Sequence, residues 1–209
     1  MKIHIIGGPG SGKTTLAAAL SARFAIPHHD LDLVFMKRGN QPALLIQDAI
    51  DIAVQPDWVA EGAFIIWVEP LLEAADCILL CTVPWYAAYW RAVRRHFEKT
   101  IKGINPYPTR QLLPFLGFVY DYYTKPVGAN ASENEVARQY LAGKARRLGP
   151  SQPDVLLRDY QTCEKSLSLT DAFTRLYLAK YQAKVLLYRS RNDLAALLKH
   201  LGRSSTMSY

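Results

Sequence analysis

Short runs of apolar and β-branched residues recur along this chain, and between them the apolar positions fall at helical spacing. Lys2 to Ile6 is the first such run and stops at Gly7, while the stretch that follows, Thr14 to Phe24, sets Leu16, Leu20 and Phe24 on one helix face. That order predicts strand, glycine turn, helix. A second short strand is expected around Pro27 to Leu31, ending in the acids Asp30 and Asp32. A helix is expected over Gln41 to Val54, with Ala43, Leu44, Ile46, Ile50 and Val54 on its apolar face. Trp58 to Gly62 reads as a strand that ends on an acid and a glycine. Cys77 to Val83 is the most continuous apolar run, as in a central parallel strand buried on both faces, and Pro84 closes it.

From Trp85 to about Lys99 the spacing is helical again. Thr100 to Gly128 then mixes Pro106, Pro108, Pro114 and Pro126 with Gly103 and Gly117, and no period lasts. Glu135 to Leu148 and Val155 to Tyr181 read as largely helical, with Ser168 or Thr170 able to cap a new helix. Lys184 to Tyr188 is a last strand and Asn192 to Leu201 a closing helix. Strands alternating with helices imply a three-layer α/β/α fold around a roughly five-stranded parallel sheet with right-handed crossovers. We expect one nucleotide-binding domain over residues 1–201, with 100–181 as an irregular and helical lid or insert and 202–209 as a flexible tail.

Composition narrows the class. Half of the residues are hydrophobic and 21% are charged, as in an ordinary globular protein. The opening apolar run is too short for a secretory leader, and no stretch has the length of a membrane span, so a cytoplasmic protein is expected. Cys77 and Cys81 fall on one face of a strand and Cys163 stands alone, which reads as three plain thiols. The net charge of +7 favours an anionic partner, either the phosphates of a small ligand or those of a nucleic acid.

The segment Gly7-Gly8-Pro9-Gly10-Ser11-Gly12-Lys13-Thr14 fits G-x-x-x-x-G-K-[ST] in full and joins an expected strand to an expected helix. Glycines let the backbone curl around an anion so that amides point inward, with the positive end of the helix behind them. Gly8, Gly10, Ser11, Gly12, Lys13, Thr14 and Thr15 are therefore the expected nucleotide-binding residues. Lys13 would bridge the β and γ phosphates of ATP or GTP, Thr14 would offer its hydroxyl to Mg²⁺, and Thr15 would reach an α-phosphate oxygen.

Ligands of open parallel sheets bind at the carboxyl ends of the strands, where Asp30, Asp32 and Glu61 are expected. These three are candidates for the acceptor site, Asp32 as proton acceptor, although Asp30 and Asp32 are equally suited to capping a turn. Glycine at 62 would let a ligand approach beside Glu61. Arg91, Arg94 and Arg95 share a helix face, and Arg91 and Arg95 are the candidates for steadying charge on the transferring group; a solvated basic face is the alternative. Arg110 is a further lid candidate. Arg189, with Ser190, Arg191 and Asn192 after the last strand, could border the base, though turn chemistry also accounts for them. The tryptophans at 58, 67, 85 and 90 and the tyrosines 120, 122 and 123 read as core and lid packing, and Arg138, Lys144, Arg146 and Arg147 as a solvated helix face.

On these residues the chain resembles the small P-loop kinases of the adenylate kinase and shikimate kinase superfamily. More closely, it is similar to the bacterial proteins known as DNA topology modulation or FlaR-like proteins. The marks are the phosphate loop, His29-Asp30-Leu31-Asp32, Trp58-Val59-Ala60-Glu61-Gly62, Val83-Pro84-Trp85, Trp90 to Arg95, and Lys184 to Ser190. Where that group has Asp-Gly-Asn, this chain has Glu61-Gly62-Ala63. The resemblance implies an ATP fold and, with it, phosphoryl transfer to a small acceptor. The alternative is a nucleotide-controlled regulatory protein that touches DNA through basic residues without transferring phosphate.

Overall fold

The structure is a computed structural model that describes residues 1–105, 108–127, 131–147, 149–163, 167, 169–190, 192–194 and 197. Most of the expected helix Asn192 to Leu201 lies outside the described residues, as do the tail 202–209, Arg191 and Ser168. Five strands form the sheet: β1 (Lys2–Gly7), β2 (His28–Asp30), β3 (Trp58–Gly62), β4 (Cys77–Cys81) and β5 (Val185–Tyr188). Their order is β2-β3-β1-β4-β5 and every pairing is parallel. The described helices are α1 (Lys13–Phe24), α2 (Leu31–Arg38), α3 (Pro42–Ala53), α4 (Glu69–Ala74), α5 (Trp85–Ile101), α6 (Leu112–Thr124), α7 (Ala131–Arg146), α8 (Pro153–Cys163) and α9 (Asp171–Tyr177).

The alternation of strand side chains splits the core in two. Ile3, Ile5, Cys77, Leu79 and Cys81 meet Leu16, Ala17 and Leu20 of α1 on one face. Ile6, Trp58, Ala60, Ile78 and Leu80 meet α3, α4 and the helices α7 to α9 on the other. The result is the α/β/α arrangement with a five-stranded parallel sheet that the sequence pattern predicts. Burial pushes the thiols of Cys77 and Cys81 up to about 12, and Cys163 on α8 is partly exposed.

Three local expectations change. Thr100 to Gly128 is not irregular throughout, because α6 runs unbroken from Leu112 to Thr124. Pro114 sits in its first turn, where no intrahelical amide bond is lost, and Pro126 follows its end. The prolines bound this helix. Two short helices, α2 and α4, occupy stretches with no expected element: Asp30 caps α2, and α4 starts on Glu69-Pro70. Lys144 is not solvated. It is 1% exposed and paired with Glu69, whose carboxylate also accepts from the hydroxyls of Tyr140, Tyr177 and Ser151. Residues of the insert, among them Tyr140, Leu156, Tyr160 and Phe173, belong to the same core cluster as the sheet.

Candidate functional site

β1 is the middle strand, and its register sets Ile5 against Glu61, Ile6 against Gly62, and Gly7 against Cys81. The glycine loop therefore leaves the sheet at its centre, at the carboxyl ends of the strands. Gly10 and Gly12 take φ of 74° and 93°, a region closed to residues with a Cβ except at a cost. The Ser11 amide donates to the Gly8 carbonyl at 3.2 Å and the Leu16 amide to Gly12 at 3.0 Å, so the loop turns tightly into α1. No acid lies in the first turn of α1, which leaves the positive end of the helix open to an anion.

Lys13 is buried, and its ammonium stands 3.9 Å from Oε2 of Glu61 and 4.0 Å from Oδ2 of Asp32. At those distances it attracts both carboxylates without bonding either. Glu61 is fully buried, and neither of its oxygens makes a hydrogen bond of good geometry. Burial pushes its carboxyl above the ordinary range; Lys13 and the neighbouring Thr14 hydroxyl oppose this, and the charges of Asp30 and Asp32 add to it. Asp32 is also raised, first by burial and then by Asp30, against the pull of Lys13 and Arg95. Orphaned buried oxygens are costly unless something else satisfies them. Together with the Thr14 hydroxyl, Asp32 and Glu61 form an all-oxygen set suited to a hard cation that keeps its waters.

Asp30 behaves differently. Its Oδ1 accepts the amides of Asp32 at 2.9 Å and Leu33 at 3.3 Å, which is the capping role left open by the sequence. The glycine at 62 also has another reason: a Cβ there would stand 2.9 Å from both Leu31 and Phe64, so side chains fill the approach expected for a ligand.

The basic face divides. Arg94 turns outward to Glu98 at 2.6 Å. Arg91 and Arg95 face the loop across a depression whose other side is Lys13, Thr14 and Thr15. Arg91 is already engaged, donating to the carbonyls of Gly10 at 3.1 Å and Ser11 at 3.4 Å. Arg189 follows β5, two strands away from the loop, where Asp193 takes its backbone amide at 2.7 Å. Arg110 is exposed beside the start of α6. Sequence reasoning overlooked Tyr122 and Tyr123 as site residues, yet Tyr123 donates to the Pro9 carbonyl at 3.1 Å. The signal available was Gly8, a glycine where the phosphate-loop pattern asks for none.

No family model matches the chain. Among curated proteins it is 29% identical over 102 residues to the uncharacterized protein YqaC of Bacillus subtilis (strain 168), covering 46% of this chain and 57% of that one. It is 32% identical over 78 residues to the adenylate kinase of Clostridium botulinum (strain Eklund 17B / Type B), and 35% identical over 77 residues to that of Syntrophomonas wolfei; each match covers 37% of this chain and 36% of the kinase. The chain thus spans between 36% and 57% of the length of these relatives. Among solved structures, a shikimate kinase from Acinetobacter baumannii in complex with shikimate aligns with a TM-score of 0.36 at 18% identity, covering 71% of this chain and 95% of that one. The shikimate kinase from Aquifex aeolicus aligns with a TM-score of 0.34 at 18% identity, covering 79% and 97%. These superpositions are too loose to carry a role across, and the site's own geometry remains the ground for reading its chemistry.

Proposed function

We propose that this chain is an ATP-dependent phosphotransferase of adenylate kinase-like design that moves the γ-phosphoryl group to a hydroxyl of a small acceptor. The observation that carries the reading is Lys13, buried at the root of a glycine loop and standing between two carboxylates that it does not bond. A polyphosphate would be gripped by the loop amides and by Lys13, which then exchanges weak contacts with Asp32 and Glu61 for phosphate oxygens. In the transfer, the bond from the γ-phosphorus to its bridging oxygen breaks and a bond to the acceptor oxygen forms. The acceptor's proton passes to Asp32, the exposed one of the two carboxylates beside Lys13. Arg95 faces the same depression and would balance charge on the transferring group. Thr14, with Glu61 and Asp32 through water, would hold Mg²⁺, which neutralises charge on the β and γ oxygens when bound.

The partial identity to adenylate kinases supports this reading. A DNA-touching regulator would need exposed cations gathered on one face, and Arg38, Lys144 and Arg147 do not contribute to one, being paired with Asp48, Glu69 and Asp159. The test is ADP release from Mg-ATP across a panel of nucleosides, nucleotides and hydroxylated metabolites. At least one acceptor should raise turnover, and Lys13→Met should lower it by about 10²- to 10³-fold with the thermal midpoint little changed. Silence across the panel, together with no ATP binding in a calorimeter, would sink the proposal.

A further inference from the structure

Helix α6, from the first third of the insert, touches the phosphate loop directly. The Tyr123 hydroxyl donates to the Pro9 carbonyl, and the ring of Tyr122 lies against Gly8. A Cβ built on Gly8 would stand 2.2 Å from Cε1 of that ring and 2.5 Å from Cδ1. The ring has no room to retreat: Tyr122 is 1% exposed, and its hydroxyl shares a 3.3 Å hydrogen bond with Thr174 of α9, which in turn donates to the Thr170 carbonyl at 2.8 Å. Below it, Leu116 and Val119 of α6 pack on Ala88 and Ala92 of α5, and α5 sends Arg91 to the next two loop carbonyls. Three consecutive carbonyls, those of Pro9, Gly10 and Ser11, are therefore taken from outside the loop. In an anion-binding bend the amides gather on one side, so donors that hold the carbonyls elsewhere keep those amides aimed at the anion.

We propose that Tyr122 and Tyr123 are positioning residues that hold the phosphate loop in its binding form before the nucleotide arrives, making α6 a fixed part of the donor site. This rests on the loop being the nucleotide site proposed above. It also explains Gly8. Its position is free in the phosphate-loop pattern, and in this chain the Tyr122 ring fills the space that a Cβ would need. A loop already shaped loses less freedom on binding, so the effect belongs in affinity more than in the transfer step.

The experiment is calorimetry of Mg-ATP binding to the wild type and to Tyr123→Phe, Gly8→Ala, Tyr122→Leu and the double variant Gly8→Ala/Tyr122→Leu, each with its thermal midpoint. Tyr123→Phe should weaken binding about fivefold, the scale of one net hydrogen bond, with a midpoint near that of the wild type. Gly8→Ala should weaken it about tenfold or more by crowding the ring. Tyr122→Leu should weaken the wild type yet restore most of the loss in the Gly8→Ala background. Unchanged affinity in Tyr123→Phe, whatever happens to its midpoint, overturns the inference, and so does a Gly8→Ala loss that is equal with either residue at 122. A wild type that does not bind ATP at all sinks the proposed function as well, an outcome distinct from both.

Discussion

Among the described residues, two buried pairs of a glutamate and a lysine are built in opposite ways. Glu69 and Lys144 are in direct contact, and the carboxylate also accepts from Tyr140 and Tyr177 at 3.1 Å and from Ser151 at 2.6 Å. Lys144 lies 3.9 Å from the centre of the Tyr177 ring. Burial pushes the Glu69 carboxyl up, but Lys144 and the hydroxyls pull harder and hold it below its ordinary value. Glu61 and Lys13 are 3.9 Å apart, the carboxylate makes no hydrogen bond of good geometry, and burial wins. The first pair is closed and joins α7 to α4. The second is left open at the mouth of a phosphate loop, where a polyphosphate with its cation could complete it. In one chain, the same two residue types serve cohesion where every valence is met and the proposed chemistry where valences are withheld.

The contrast can be broken most sharply at the closed pair. Lys144→Met would leave Glu69 buried without its cation and should cost about 3–5 kcal/mol in urea unfolding, whereas a loss below about 1 kcal/mol would show that the network is not closed as described. Tyr177→Phe removes a hydroxyl that donates to Glu69 and accepts the amide of Ile66 at 2.9 Å. Ile66 is a buried β-branched residue at φ 64°, so its orphaned amide should cost about 1–3 kcal/mol and loosen the turn after β3, read as faster amide exchange there. An unaltered exchange rate at that turn would detach it from the network.

Glu61→Gln should act in the other direction and by less. A carboxyl raised above its ordinary 4.5 binds a proton in the folded chain that the unfolded chain lacks. Its favourable contribution is therefore complete below pH 4.5 and is lost as pH rises through the folded value. The variant should lack that decline and gain about 1 kcal/mol over the wild type at pH 7, while losing the proposed phosphoryl transfer. Parallel stability curves for the two proteins across acid to neutral pH would place Glu61 outside the class of strained site groups.

How much of this was legible in the sequence depended on range. The phosphate loop, its strand and its helix are local patterns, and β3 and β4 are continuous apolar runs, so the middle of the sheet could be read directly. Helix α6 was hidden because Pro114 looks like a breaker until its place in the first turn is known. Lys144 could not be separated from Arg138 and Arg146 by spacing, since its partner Glu69 lies 75 residues away. Arg91, Arg94 and Arg95 looked alike on one face, and only the packing of α5 against the loop divides them. Asp30 and Asp32 likewise required the start of α2 before cap and site residue could be told apart.

The strand β4 also has a practical consequence. Its two cysteines are sealed in the core with thiols pushed up to about 12, so a maleimide added to the folded chain at neutral pH finds a reachable sulfur at Cys163 alone. One fluorophore can thus be attached to α8 of the unaltered protein, giving a reporter of the far side of the core that leaves the phosphate loop untouched.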